Sequence, residues 1–187
     1  MRTEPDVTSE VRDRLRRVFF WHSDRTDESW YADMTSWWRS PTLLRSLGPA
    51  LASLFRDGQP TVVLGVESSG CLLGPLVAVD LGIGFVEVRK RREQVVDSDA
   101  WRERRSPPDY SNRHRTLAFR KRLVGPADRV LVVDDWITTG GQVSGVRSLV
   151  HDAEATWLGA AVVVDALMSN ETRRLLGVRS LLHIRDL

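Results

Sequence analysis

Short apolar segments rich in valine alternate along the chain with segments of helical periodicity. Four of them have the length and near-continuous hydrophobicity of strands covered on both faces: residues 61–66, 85–88, 129–133 and 156–164. Helical patterns occupy residues 41–55, 71–79 and 143–151, with Ser40 as the N-cap of the first and Gly58 just past its end. This alternation predicts an α/β fold in which helices flank a central parallel sheet.

Two regions do not follow the alternation. Before residue 40, we expect a helix around residues 10–19, followed by an irregular aromatic stretch through Trp38. Residues 91–115 contain Pro107 and Pro108, many charges and little apolar periodicity. Because loops of this length in compact domains are usually lids, binding loops or disordered segments, we interpret residues 91–115 as a mobile flap. An ordinary surface loop is the alternative.

The composition indicates one globular domain. The chain has 187 residues, of which 42% are hydrophobic and 28% charged. Its longest apolar stretch, residues 157–164, is too short to cross a bilayer, and the arginine-rich N-terminus lacks the apolar core of a signal peptide, so we expect a cytoplasmic protein without a membrane partner. One cysteine, Cys71, excludes an internal disulfide framework, and four scattered histidines predict no metal site built by the protein alone.

The basic residues are clustered although lysine and arginine exceed aspartate and glutamate by only 27 to 25. Solvated helix faces and loops are the ordinary interpretation of such clusters, and a polyanionic ligand is the alternative. The chain contains no zinc finger, RNP-type aromatic motif or basic zipper. Small phosphorylated substrates therefore fit better than nucleic acid.

The strongest chemical signal is residues 129–142, which read RVLVVDDWITTGGQ. An apolar strand is followed by two acids and a turn of small residues: Asp134, Asp135, Thr138, Thr139, Gly140 and Gly141. Ligands of parallel α/β sheets bind beyond the carboxyl ends of the strands. A glycine turn at a helix N-terminus presents amide donors to an anion, and two carboxylates accept hydrogen bonds from a vicinal diol. The segment predicts a ribose phosphate site, with helix-capping aspartates in an ordinary turn as the alternative.

Other nucleotide and hydrolase motifs are absent from the sequence. No G-K-[ST] follows either glycine-containing turn, as a Walker A loop requires, and no G-x-G-x-x-G occurs. Neither VESSG nor GQVSG places serine at the centre of a G-x-S-x-G elbow. These three classes are excluded.

The segment VLVVDDWITTGG resembles the phosphoribosylpyrophosphate-binding motif of type I phosphoribosyltransferases. The stretch VVLGVESSGCLLGPLVAVDLGIGFVEVRK is similar to the matching part of the adenine phosphoribosyltransferase family, and the similarity extends from about Asp33 to the C-terminus. The resemblance implies a Rossmann-like sheet in a single domain, residues 1–187, with a base-binding hood over about 1–38 and a flexible flap over about 91–115. It also implies a homodimer.

The implied reaction transfers a 5-phosphoribosyl group from phosphoribosylpyrophosphate to a purine-like base, with adenine the leading candidate. The products would be a nucleoside monophosphate and pyrophosphate, and Mg²⁺ would be bound mainly through the substrate. Catalytic Asp134 and Asp135 would hold the ribose hydroxyls. The remaining implied contacts are to the 5-phosphate, by Thr138, Thr139, Gly140, Gly141 and Gln142, and to pyrophosphate, by Glu67, Ser68, Ser69, Gly70, Arg89 and Lys90.

The sequence departs from this family at three places. Ser69 stands where the family commonly has arginine, Gln142 replaces a small hydroxyl residue, and the flap reads DYSNRHRTLAF where a glutamate–tyrosine pair is common. A regulator that senses the same ligand without turnover is therefore kept as an alternative. A competence-type homologue is a further one, although the cysteine-rich zinc region of such proteins is absent.

The hood region is rich in aromatic residues, which have two interpretations. They are Trp21, Trp30, Tyr31, Trp37 and Trp38, and Trp136 lies inside the motif itself. Aromatic faces stack on heterocyclic bases. For each tryptophan, packing in the core or a dimer interface is the alternative.

Overall fold

The computed structural model describes residues 7–24, 27–91, 100–108 and 113–187. The strands are β1 (Phe20–Asp24), β2 (Asp27–Asp33), β3 (Val62–Val66), β4 (Gly84–Arg91), β5 (Trp101–Arg105), β6 (Thr116–Arg120), β7 (Arg129–Ile137), β8 (Thr156–Asp165) and β9 (Val178–His183). The helices are α1 (Val7–Arg17), α2 (Thr35–Arg39), α3 (Pro41–Ser53), α4 (Gly70–Leu81), α5 (Gly141–Asp152) and α6 (Asn170–Leu176). Short 3₁₀ turns occupy Arg56–Gly58, Lys121–Leu123 and Ile184–Asp186.

Within the described residues, seven strands form the main sheet in the order β5-β6-β4-β3-β7-β8-β9. Strands β4, β3, β7, β8 and β9 are parallel, β6 pairs antiparallel with β4, and β5 pairs antiparallel with β6. The predicted α/β architecture with a central parallel sheet is confirmed. Strands β5, β6 and β9 were not predicted, because each is short or rich in polar residues.

Helices cover both faces of this sheet, which explains the continuous apolar runs of its central strands. Alternate residues of β7 enter different cores. Leu131 and Val133 pack in a cluster with residues of α1, α3 and α4, whereas Val130 and Val132 pack in a second cluster with residues of α5. The loops beyond the carboxyl ends of β3 and β7 therefore stand on a rigid two-sided core.

The predicted helices are present with shifted ends. Ser40 caps α3 as expected, since its Oγ accepts a hydrogen bond from the Leu43 amide at 3.3 Å. The helix ends at Ser53 rather than at residue 55, and Gly58 closes the 3₁₀ turn that follows. Helices α1, α4 and α5 begin one to three residues before the expected positions.

The N-terminal region is regular where the sequence predicted an irregular stretch. Strands β1 and β2 form an antiparallel hairpin, with Phe20 opposite Asp33, and α2 follows it. Trp37 of α2 is fully buried, and its indole Nε1 donates to the Leu15 carbonyl oxygen at 3.2 Å. The core interpretation of Trp37 is therefore correct, since this indole is packed between α1 and the rest of the domain.

The described part of the predicted flap also contains regular structure. Residues 101–105 form the edge strand β5 beside β6, and Arg104 donates to both carboxylate oxygens of Asp152 on α5, at 2.5 and 2.8 Å. Charged side chains on an edge strand oppose pairing with other chains. Residues 92–99 and 109–112 of the flap lie outside the described residues, so flap mobility stays a prediction. No helix in the described ranges is both long and apolar enough to cross a membrane.

Candidate active site

The two aspartates of the motif lie inside strand β7. The sequence placed the end of this strand at residue 133, but the structure extends it through Ile137, because ladder pairing with β8 continues to Asp165. Asp134 and Asp135 are both half-buried. The Asp135 amide donates to Asp134 Oδ1 at 3.0 Å. The pair is therefore held on the backbone of a central strand rather than on a loop.

The electrostatic environment favours the protonated form of Asp134. Burial, followed by the neighbouring Asp135 carboxylate, raises the pKa of Asp134 well above its ordinary value, and the positive charge of Lys90 acts in the opposite direction. A ligand that brings hydrogen-bond donors or positive charge to this carboxyl therefore favours its ionised form.

The turn after β7 has the backbone geometry of an anion site. Gly140 has φ +76°, a left-handed conformation that favours glycine. Gly141 begins α5. The N-cap residue Gly140 has no side chain that could accept a hydrogen bond from the amides of the first helical turn. The Gly141 amide donates to Thr139 Oγ1 at 3.2 Å. The amide donors and positive dipole end of α5 are directed towards the turn.

The turn residues border one small pocket. Its volume is about 30 Å³, and its walls are Asp134, Trp136, Ile137, Thr138, Thr139, Gly140, Gly141, Gln142 and Val143. The structure therefore brings Asp134, the four turn residues and Gln142 together at this pocket, whereas Asp135 is not among its walls.

Carbonyl oxygens of the flap occupy the space above this turn. Thr139 Oγ1 donates to the Pro108 carbonyl oxygen at 3.3 Å. A Cβ on Gly141 would lie 2.5 Å from the Pro108 oxygen and 3.0 Å from the Pro107 oxygen. A pocket of this size accommodates water rather than a sugar phosphate. Residues 106–108 therefore limit the space beside the turn.

The predicted pyrophosphate loop lies directly beside the end of β7. Glu67, Ser68 and Ser69 form the turn between β3 and α4, and Gly70 begins the helix. A Cβ on Gly70 would lie 2.8 Å from the Val133 carbonyl oxygen. The peptide bond between Glu67 and Ser68 is cis. This close packing brings the loop to the same edge of the sheet as the aspartates.

Strand β4 adds the basic residues to this edge. Glu67 Oε2 accepts a hydrogen bond from the Lys90 amide at 2.7 Å, which joins the loop to β4. Arg89 is exposed, and its Nε donates to Glu87 Oε2 at 2.7 Å. Its guanidinium also lies 5.7 Å from the ring centroid of Trp101. Arg89 is therefore positioned by side chains of β4 and β5.

Two residues of this edge were not selected from the sequence. Glu87 pairs with Arg89. Its position as an acid inside the apolar segment GFVEV is the sequence signal that could have identified it. Cys71 lies close enough for burial, Glu87, Glu67 and Asp134 to raise its pKa to about 11, so its thiol is protonated at neutral pH. Nothing in the sequence indicated that Pro107 and Pro108 contact the turn.

An aromatic group connects the hood to the motif. The Trp136 ring is stacked with Phe19 and edge-on to Trp21, at 6.2 Å between centroids in each case. Trp30 and Tyr31 are exposed. Thus Trp136 borders the turn and joins Trp21 in an aromatic wall that extends from the turn to the hood, whereas Trp37 belongs to the core. Among the described residues, no group of three or more His, Cys, Asp and Glu side chains has the arrangement of a metal site.

Comparison with known proteins agrees with this geometry. The model of the phosphoribosyl transferase domain matches residues 39–179. The chain is 32% identical over 160 residues to an adenine phosphoribosyltransferase of Cupriavidus pinatubonensis, covering 86% of this chain and 80% of the relative. It is 33% identical over 137 residues to one from a Synechococcus species, covering 72% and 76%.

The fold is also similar to solved structures. The crystal structure of an adenine phosphoribosyltransferase from Rhodothermus marinus superposes with a TM-score of 0.77 at 28% identity, covering 94% of this chain and 99% of that one. The domain match, the relatives and the fold agree with the acidic pair and glycine turn at the end of β7. The chain belongs to the phosphoribosyltransferase family of enzymes.

Proposed function

We propose that this enzyme transfers the 5-phosphoribosyl group of phosphoribosylpyrophosphate to adenine or a closely related purine. The observation that carries the proposal is the Asp134–Asp135 pair on β7, followed directly by the left-handed Gly140 and the N-terminus of α5. Acceptors for a sugar diol and donors for a phosphate are thus adjacent on one rigid strand–turn–helix unit. The relatives named for adenine transfer support the choice of base.

The two carboxylates would act on the sugar. Each accepts a ribose hydroxyl, and together they oppose the positive charge that develops at the anomeric carbon when its bond to pyrophosphate breaks. The raised pKa of Asp134 is consistent with this role. Two neighbouring carboxylates repel each other when both are ionised, and hydrogen-bond donors or positive charge from a bound ligand would offset that repulsion.

The opposite side of the site would bind the leaving group. Ser68, Ser69 and the N-terminus of α4 offer hydroxyl and amide donors to pyrophosphate. Lys90 adds positive charge, and its amide fixes Glu67 in the loop. Arg89 would approach the pyrophosphate after exchanging its partner Glu87 for the ligand.

The donor set of the site fits Mg²⁺ bound mainly through substrate oxygens. Carboxylate oxygens at this edge of the sheet are hard donors of the kind that Mg²⁺ prefers, and Mg²⁺ would keep several waters instead of binding a group of three protein side chains. When bound, the ion would neutralise charge that grows on pyrophosphate. The protein would position the sugar and the loop around it.

The aromatic wall is the proposed base subsite. Trp136 borders the phosphate turn and Trp21 stands edge-on to it, so a purine that enters beside the turn would meet an indole on which it can stack. Residues 106–108 would leave the turn as the ligand enters, and closure of the flap over the bound sugar would exclude water.

A homodimer is also proposed. Helix α4 exposes Leu72 at 56% and Val79 at 81%, and an apolar groove beside it is lined by Leu44, Pro49 and Leu76. Exposed apolar surface of this kind marks interaction sites. Light scattering of wild type and Val79→Asp should show a dimer that dissociates in the variant. The cytoplasmic location and the exclusion of nucleic acid as a partner stay predictions from the sequence.

The proposal is tested by measuring pyrophosphate release with phosphoribosylpyrophosphate, Mg²⁺ and a panel of purines and pyrimidines. Release that depends on adenine, and mass-spectrometric detection of the nucleoside monophosphate, are the expected results. Asp135→Asn should abolish most of the release, and the control Asp128→Asn, directly before β7 at the other end of the strand, should retain it. Binding of phosphoribosylpyrophosphate without release with any base would replace the proposal by the sensor alternative.

A further inference from the structure

A second cleft lies at the opposite end of α5 from the phosphate turn. It is formed by the end of β5, the C-terminal half of α5 and the start of β8, and its volume is about 600 Å³. This volume is within the range of small-molecule sites. On α5 the cleft begins at Arg147, six residues after Gly141, so at 1.5 Å per residue it starts roughly 9 Å along the helix from the turn. Its lining shares no residue with the pocket at the turn.

Positive charge predominates in this cleft. Arg104, Arg105 and Arg147 line it, and Asp152 is the one acid among its described lining residues. Arg104 donates to both oxygens of Asp152 and lowers the pKa of this carboxyl. Asp152 is therefore ionised and already paired, and no second acid of the described lining neutralises Arg105 and Arg147.

The remaining walls add an imidazole and an indole. His151 is exposed on α5 and lines the cleft next to Asp152. Trp157 is half-buried at the start of β8, and its Nε1 donates to the Leu176 carbonyl oxygen at 3.1 Å, which fixes the ring. Guanidinium groups bind phosphate oxygens in pairs, and a fixed indole offers a surface to a planar ring.

We propose that this cleft is a second site, which binds a phosphate-bearing small molecule with a planar ring, of the nucleotide class. Arg105 and Arg147 hold the phosphates, with His151 as a further donor. Trp157 contacts the ring. None of its lining residues borders the turn or the loop of the active site, and Arg104 and Arg105 reach it from the flap segment that precedes residues 106–108.

The proposal is tested by calorimetric titration with ATP in a background that obstructs the active site. Gly140→Val supplies this background, because a branched residue is strained at φ +76°. ATP should still bind to it, and the further change Arg105→Ala/Arg147→Ala should weaken that binding at least about tenfold. The control Arg174→Ala/Arg185→Ala removes the same charge from exposed positions elsewhere and should have little effect.

The proposal would be overturned if both double variants weakened ATP binding equally, or if neither variant weakened it. Tripolyphosphate replaces ATP in a second arm, and equal affinity for the two would overturn recognition of the ring. Amide NMR shifts of wild type on addition of ATP give a test that does not depend on Gly140→Val. Shifts should occur in residues 147–157, and shifts confined to residues 134–142 would contradict a second site. A short RNA that binds through Arg105 and Arg147 while ATP does not would indicate a nucleic-acid surface instead.

Discussion

Gly65 is the position where one methyl group should disturb the candidate site most directly. It is in β3, just before the Glu67–Gly70 turn folds back towards the strand. A Cβ at Gly65 would lie 2.1 Å from the Gly70 carbonyl oxygen, 2.5 Å from its carbon and 3.0 Å from the Phe85 ring. The first two are backbone atoms, which cannot rotate away. Gly65→Ala must therefore displace the loop or the strand.

The magnitude follows from that geometry. Ordinary Cβ contacts are 3.4 Å or longer, so the backbone must give by more than an ångström. Overpacking of this kind costs about 1–3 kcal/mol, and the rigid obstacle places Gly65→Ala in the upper part of that range. Alanine recovers up to about 1 kcal/mol by restricting the unfolded chain. A net loss of about 1–2 kcal/mol lowers the Tm of a domain of this size by roughly 2–8 °C.

Differential scanning calorimetry of wild type, Gly65→Ala and Gly84→Ala measures the effect. Gly84 is a matched control, because it pairs with Val62 in the adjacent strand and a Cβ there meets nothing within 4 Å. We expect its Tm to stay within about 1 °C of wild type or to rise. The KM for phosphoribosylpyrophosphate should increase only in Gly65→Ala, since the loop that it displaces carries Glu67. An unchanged Tm for Gly65→Ala, or equal losses in both variants, would refute the reasoning.

Three further predictions concern the acids and the flap. Because the pKa of Asp134 is raised in the folded protein, its ionisation costs folding free energy at high pH, and this cost disappears as pH falls below about 4. Asp134→Asn should therefore raise the Tm at pH 7 and match wild type near pH 3, and a pH-independent difference would contradict the electrostatic cause. Asp135→Asn should lower kcat/KM by about 10- to 150-fold if one charge-assisted hydrogen bond to ribose is lost; steady-state assays that find wild-type kcat/KM would exclude the contact. Hydrogen exchange across residues 91–115 should slow when phosphoribosylpyrophosphate and Mg²⁺ bind, and unchanged exchange at saturation would favour an ordinary surface loop.

Local patterns determined the central part of the fold. Strands β3, β7 and β8 are continuous apolar runs because both of their faces are covered, and such runs are visible in the sequence alone. The N-cap Ser40 and the acidic pair before a glycine turn are also contiguous signals. This is why the α/β class, the site segment at residues 134–142 and the family resemblance could be predicted without coordinates.

The outer strands depended on partners that are distant in the chain. Strand β5 reads WRERR, which has no apolar alternation, and it exists because β6 pairs with it and Asp152 of α5 binds Arg104. The β1–β2 hairpin is similarly defined by cross-strand pairing rather than by a continuous apolar pattern. Such edge strands bury little of their own surface, so their hydrophobic signal is weak.

The sequence by itself determined which residues carry the candidate chemistry, since Asp134 to Gly141 are consecutive or nearly so. Only the tertiary structure decided their electrostatic state and access. The pKa of Asp134 depends on its burial and on Lys90 from another strand, and Pro108 reaches Thr139 across 31 positions of the chain. The burial of a side chain, the charge around it and the access of a ligand to it all depend on residues that are close in space but distant in the chain. A local sequence pattern does not contain those residues.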